Sequence, residues 1–186
     1  MATDPVTWTS EQFSKHYIAD YKPYNFVDGE GVRCSIYVSG CPFACKGCYN
    51  KVAQNFAYGK PYSKELEDQI IEDLRAEYCQ GLTLLGGEPF LNTGVTIQLC
   101  RRVRKEFGTK KDIWSWTGYT WEELMSGTED KQMLLSYLDV VVDGRFELEK
   151  KDVGLAFRGS SNQQIIDVQK SLKTGKCVLW KDGQYL

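Results

Sequence analysis

A chain of 186 residues with 23 Lys and Arg against 25 Asp and Glu carries a net charge of −2. That length favours one domain with a core of its own, and the near balance of charge gives no reason to expect nucleic acid as a partner. No stretch approaches the roughly 20 apolar residues of a membrane span, and Met1-Ala2-Thr3-Asp4-Pro5 lacks the basic-then-apolar pattern of a secretory signal, so a cytoplasmic location is expected.

The first 24 residues read as an extension ahead of the patterned chain, and its one histidine, His16, reads as a surface or helix residue. From there strands and helices alternate, which predicts a parallel sheet. Arg33 to Ser39 is a strand ending at Gly40-Cys41. Ser63 to Cys79 is a helix capped by Ser63, with Leu66, Ile70, Ile71, Leu74 and Tyr78 on one face and Gly81 as its breaker. Leu82 to Leu85 is a short apolar strand that runs into Gly86-Gly87-Glu88-Pro89. A second helix, Thr93 to Phe107, buries Leu99, Val103 and Phe107, so that Arg101, Arg102, Arg104 and Lys105 form a solvated face. Asp112 to Thr117 is a strand, followed by a capping box, Thr120-x-x-Glu123, that opens a helix. Leu138 to Val142 is an apolar strand ending at Asp143-Gly144-Arg145. Ser160 or Ser161 caps a last helix toward Leu172, and Cys177 to Trp180 with Gln184 to Leu186 form a hairpin turned at Asp182-Gly183. The domain boundaries are then 1–24 for the extension, 25–174 for the core and 175–186 for the hairpin. Distinctive polar or glycine-rich motifs fall just past strand carboxyl ends, where α/β folds build their sites. The fold class is α/β: a partial, open barrel of about four to six β/α units with parallel strands.

Three of the seven cysteines, Cys41, Cys45 and Cys48, share one short loop. Zinc would want a fourth protein ligand, and a ferredoxin-type carrier a fourth nearby cysteine. Cys34 offers one only from inside a strand. An iron–sulfur site with one iron left open is the most economical account. The other four (Cys34, Cys79, Cys100, Cys177) read as buried small hydrophobes rather than a disulfide framework. One histidine far from the motif leaves little room for Ser-His-Asp or Cys-His catalysis. Gly86-Gly87 lets a ligand approach the main chain closely, and Glu88 beside it can hold an ammonium group. Trp114 and Trp116 share one strand face; the functional reading turns the opposite face, Ser115 and Thr117, into a barrel lumen. Asp143 can accept from ribose hydroxyls and Arg145 can hold a carboxylate.

The loop Cys41-Pro42-Phe43-Ala44-Cys45-Lys46-Gly47-Cys48-Tyr49 resembles the signature of the radical S-adenosylmethionine (SAM) superfamily, three cysteines at x3 and x2 spacing followed by an aromatic residue. Asp28-Gly29-Glu30-Gly31-Val32-Arg33 is similar to the segment that glycyl-radical activating enzymes carry before that loop. Within that group, Val142-Asp143-Gly144-Arg145-Phe146 and Arg158-Gly159-Ser160-Ser161-Asn162-Gln163 resemble the activating proteins of anaerobic ribonucleoside-triphosphate reductase, and the likeness runs from about Asn25 to Val168. It implies a 4Fe–4S cluster on Cys41, Cys45 and Cys48, with SAM chelating the fourth iron. Gly47, Cys48 and Tyr49 would face the adenine, Gly86, Gly87 and Glu88 the methionyl amine, Asp143 the ribose and Arg145 the methionyl carboxylate. No side chain is implied as an acid–base catalyst. An external one-electron donor such as flavodoxin, a 5′-deoxyadenosyl radical and a glycine on the large reductase subunit complete the implied reaction. The implied assembly is a homodimer or a heterotetramer with the reductase. Activation of another glycyl-radical enzyme such as pyruvate formate-lyase, and a non-enzymatic iron–sulfur electron carrier, are the competing readings.

Overall fold

The structure is a computed structural model and describes residues 4–183. Seven strands form one mixed sheet: β1 (Tyr17–Asn25), β2 (Val32–Val38), β3 (Lys60–Pro61), β4 (Cys79–Gly86), β5 (Asp112–Trp116), β6 (Val140–Asp143) and β7 (Gln164–Asp167). Their order is β3-β1-β2-β4-β5-β6-β7. The four central strands are parallel, as the alternating pattern predicts. The flanks are antiparallel: β1 and β3 extend one side and β7 the other, and the sheet does not close. Residues 17–24, read from sequence as part of an extension, are thus hydrogen-bonded into the sheet.

The helices are α1 (Ser10–Phe13), α2 (Lys64–Leu74), α3 (Thr93–Phe107), α4 (Trp121–Met125), α5 (Glu129–Tyr137) and α6 (Val168–Thr174). Helices α2, α3 and α4–α5 supply the crossovers between successive parallel strands, the connection that parallel pairing requires. Ser63 does cap α2, its Oγ accepting from Leu66 N at 3.2 Å. That helix ends at Leu74 rather than near Cys79; Tyr78 is exposed, and Gly81 lies inside β4 under the Asp112 backbone. The capping box forms as read, with Thr120 and Glu123 exchanging hydrogen bonds of 3.2 and 2.9 Å. The last helix starts later than read and takes a different cap: β7 intervenes, Asp167 caps α6, and Ser160 sits buried in a loop where its Oγ accepts from Glu147 N. Of the C-terminal hairpin, Gln184 to Leu186 lie outside the described residues. Cys177 to Trp180 make a single bridge, Leu179 to Ile166, and Trp180–Gly183 is a 3-10 turn.

Period-two alternation sorts the sheet into two faces. Ile36, Leu82, Leu84, Ile113 and Val141 pack under the helices with Leu74, Leu99, Val103 and Leu134. The opposite face carries a smaller cluster of Trp114, Val140, Val142 and Ile165, with Trp116, Phe157 and Trp180 against it. The tryptophans therefore occupy the face opposite the helices, and Ser115 shares the helix side with Ile113, the reverse of the functional reading made from sequence, whereas Thr117, just past the strand end, does line the cleft described below. Cys34, Cys79 and Cys100 are buried hydrophobes as expected; Cys177 is exposed instead. Of the basic residues on α3, Arg102 pairs with Glu67 and Asp68, and Arg104 with Asp139, so these two are ion-paired.

Arg33 plugs the floor of the face opposite the helices. It is fully buried, 2.5 Å from Asp112, donates to Thr83 Oγ1 and to the Leu82 and Glu30 carbonyls, and lies 5.3 Å from the Trp114 ring. Arg33→Met fills similar space but strands Asp112 and those carbonyls, so it should cost about 3 kcal/mol. A urea midpoint unchanged from wild type would show that the guanidinium is dispensable there.

Candidate metal centre and cofactor cleft

The strand ends converge as the motif positions predict. The loop after β2 carries Cys41, Cys45 and Cys48; Gly86-Gly87-Glu88 follows β4; Thr117-Gly118 follows β5; Gly144-Arg145-Phe146 follows β6. All of them line one cleft of about 600 Å³, with Gly47 and Tyr49 on its rim. The cysteine loop is pinned at its ends, Gly40 N donating to Ala53 O at 2.7 Å and Cys41 N to Gln54 O at 3.1 Å, while Cys48 N closes a turn onto Cys45 O. Positive φ at Gly40, Ala44 and Gly47 folds the loop into tight turns, and all three cysteines line the cleft.

The three thiols are free and partly accessible. Burial, and then the nearby Glu88 charge, push the Cys41 thiol up to about 12; burial raises that of Cys45. Such thiols ionise when a bound metal supplies positive charge. Among the described residues no three His, Cys, Asp or Glu side chains meet at a single-ion point. Three soft thiolates on one loop suit a cluster whose irons each take their own thiolate. Cys34 is no candidate for a fourth: it is fully buried, with its sulfur 3.7 Å from that of Cys79.

Gly86 and Gly87 serve the backbone before any ligand. Gly87 N donates to Val38 O and Glu88 N to Gly40 O, both at 2.7 Å, which presses this turn against the base of the cysteine loop. Glu88 is buried. Its Oε1 accepts from Phe90 N and Thr117 Oγ1 and its Oε2 from Gly118 N, at 2.8–3.0 Å. These bonds tie the end of β4 to that of β5 and leave Oε2 about one further lone pair. Burial outweighs them and lifts the carboxyl to about 7. The folded chain then holds this proton to higher pH than the unfolded chain does, so the contribution of Glu88 to stability is full below about pH 4.5 and is lost as pH rises toward 7. In the metal-free protein, Glu88→Gln should flatten that slope. A stability difference between wild type and variant that stays constant from pH 4.5 to 7 would show an ordinary carboxyl.

Asp143 and Arg145 are more engaged than their sequence reading implies. Asp143 is buried and accepts from Trp121 N at 2.8 Å and Gln164 N at 2.9 Å; it lines a neighbouring groove of about 530 Å³, not the cysteine cleft. Arg145 reaches both spaces, pairs with Glu123 at 3.0 Å and stacks 4.5 Å from the Phe43 ring. The Arg158–Gln163 stretch braces this turn: Gln163 Nε2 donates to Gly144 O, Asn162 Nδ2 to Arg145 O, and Gln163 Oε1 accepts from Gly159 N and Ser160 N. Sequence reasoning missed Tyr37, Trp116 and Gln163 as cleft walls. Alternation puts Tyr37 on the face of Arg33 and Trp116 on that of Trp114, but which face borders the cleft emerges only from the packing.

Residues 27–166, which hold the three-cysteine loop and the centre of the open α/β sheet, match a family model described as a 4Fe-4S single cluster domain, and that match sets the class. The chain is 46% identical over 149 residues to the anaerobic ribonucleoside-triphosphate reductase-activating protein of Pasteurella multocida, covering 78% of this chain and 93% of that one. The proteins of the same name from Vibrio cholerae and Escherichia coli are 46% and 42% identical, each over 78% of this chain and 94% of theirs. The chain belongs to the family of anaerobic ribonucleoside-triphosphate reductase-activating proteins.

Proposed function

We propose that this protein activates an anaerobic ribonucleoside-triphosphate reductase by reductive cleavage of SAM. The observation that carries the reading is the convergence of three free cysteines, the Gly86–Glu88 turn and the Tyr49 rim on one cleft. A 4Fe–4S cluster on Cys41, Cys45 and Cys48 would supply the electron that breaks the sulfonium bond, leaving a 5′-deoxyadenosyl radical to take hydrogen from a reductase glycine.

The chain's own residues bind, orient and shield. Glu88, with the carbonyls of the Gly86–Gly87 turn, holds the methionyl ammonium. Gly47 and Cys48 offer main-chain atoms to the adenine, and the exposed Tyr49 ring can fold over it. Arg145 keeps N–H groups beyond its Glu123 pair for the methionyl carboxylate. Asp143, with its oxygens already accepting from two backbone N–H groups, contributes to the ribose side by fixing the Gly144–Arg145 turn. Tyr37, Leu85 and Trp116 give the cleft an apolar wall that keeps water from a reactive centre. Its open rim leaves room for a protein backbone. The proposed partner is a cytoplasmic reductase and the proposed donor a diffusible one-electron carrier such as flavodoxin; no helix among the described residues is long and apolar enough to cross a membrane. Mixing the reconstituted, reduced protein with SAM and separately with the reductase and pyruvate formate-lyase tests the assignment. A glycyl doublet on the reductase alone is expected; a doublet only on the lyase would reassign the partner.

A further inference from the structure

Residues 5–13 precede the family match, which begins at residue 27, and none of them lines the cysteine cleft. They are nonetheless built against its loop. Phe43 stands between Cys41 and Cys45, and its ring is held by three groups: the Trp8 ring at 5.7 Å, the Tyr119 ring edge-on at 4.9 Å and the Arg145 guanidinium at 4.5 Å. Gly118 completes the seat, since a Cβ there would come within 2.5 Å of the Phe43 ring. At the start of the loop Phe13 stacks on Phe56 at 5.7 Å, and Phe56 covers Gly40, where no Cβ would fit. Trp8 and Phe13 are themselves 5.4 Å apart. One short segment thus holds the first half of the cysteine loop at two points, Phe43 directly and Gly40 through Phe56.

The segment is fastened by groups that have no part in the proposed chemistry. Tyr119 donates its hydroxyl to Pro5 O at 3.0 Å. The Lys131 ammonium donates to Trp8 O and to Thr128 Oγ1 and lies 5.2 Å from the Tyr119 ring. Lys131 is fully buried, and a buried ammonium is costly unless its hydrogen bonds are made. Here one of them goes to the segment's own backbone. Ser14 Oγ reaches Asn92 at 2.8 Å. The local sequence sets the conformation too: Asp4 caps the turn at Pro5–Thr7, and Thr9 with Gln12 forms a capping box at α1.

We infer that residues 5–13 are a positioning strap for the cysteine loop, with Trp8 and Lys131 as its positioning residues: they hold Phe43 against Tyr119 and so set the Cys41–Cys45 turn before any cluster arrives. The geometry stands on the protein alone; the consequence, a preorganised ligand set, rests on the cluster reading above.

Amide hydrogen exchange of the metal-free protein separates the two. In Trp8→Ala the amides of Gly40–Cys48 should exchange about tenfold faster while those of β4 and β5 keep their wild-type rates, and Trp8→Phe should restore the loop. After reconstitution, the same Trp8→Ala protein should lose iron to a chelator faster than wild type. If Trp8→Ala fails to fold, Tyr119→Phe, which removes only the hydroxyl bond to Pro5, takes its place and should accelerate the loop by about threefold. Wild-type exchange at Gly40–Cys48 alongside accelerated exchange at residues 5–13 would overturn the strap. Accelerated loop exchange in a protein that takes up no cluster in any variant would leave the strap standing and remove the cluster reading.

Discussion

Cys45→Ala should take up less than about a tenth of the wild-type iron and lose SAM cleavage by at least a factor of about a thousand, because the group that carries the chemistry goes with its ligand. The fold should survive. Cys45 is partly exposed on a loop, and its side chain supports no core cluster, so the urea midpoint should shift by no more than the equivalent of about 1 kcal/mol. Iron content, the absorption of the reconstituted protein and the yield of 5′-deoxyadenosine are the readouts. The structure sharpens what a surviving cluster spectrum would mean. The replacement ligand would not be Cys34, which is sealed beside Cys79 on the helix side of the sheet, nor Cys100, packed in the same core. A 4Fe–4S spectrum in Cys45→Ala would therefore contradict the three-cysteine site itself.

Gly87→Ala should be the most damaging change that touches no polar side chain. A Cβ at this position would press into the Gly40 carbonyl and come within 2.7 Å of Gly40 N and 2.8 Å of Ala53 O. These are backbone atoms on two sides, and one set belongs to the base of the cysteine loop, so relief means moving that loop. The expected cost exceeds about 4 kcal/mol, in the range reserved for main-chain clashes and lost cores. Any soluble variant should also bind less iron, since the turn and the loop share the hydrogen bonds Gly87 N to Val38 O and Glu88 N to Gly40 O. A variant with wild-type stability and normal iron content would show that the glycine serves only to admit a ligand.

That contrast marks where the sequence was legible and where it was not. The cysteine triplet is local, so residue types and spacing are enough to single it out as a candidate donor set, and the placing of motifs at strand ends follows from chain order alone. The parallel centre of the sheet was legible for the same reason: apolar runs alternate with amphipathic helices such as Thr93–Phe107, whose bounds match the expectation. The antiparallel flanks were not. In β1 only Ile18 is buried, and the strand carries Lys22, Pro23 and Tyr24 on an edge with little partner, so it offers no apolar run to detect. The face of β5 was misread because Trp114 and Ser115 are both buried, and only the packing of Val140, Val142 and Ile165 settles which side lies opposite the helices. Asp143 reads as a ligand in one dimension; in three it is the acceptor for Trp121 and Gln164, two backbone groups distant in sequence that open α4 and β7. The strap was beyond sequence reading altogether, because Trp8, Phe13 and Lys131 gain their meaning from Phe43, Phe56 and Tyr119 across long separations.

In the proposed activation, the cluster held by Cys41, Cys45 and Cys48 keeps one iron for SAM. EPR of the anaerobically reconstituted and reduced protein, recorded with and without SAM, tests it most directly. A 4Fe–4S signal whose g-values move when SAM is added, followed by loss of that signal and formation of 5′-deoxyadenosine, is the predicted result. A reduced cluster with the same spectrum in the presence and absence of SAM, and no 5′-deoxyadenosine, would contradict it and leave the chain an iron–sulfur electron carrier.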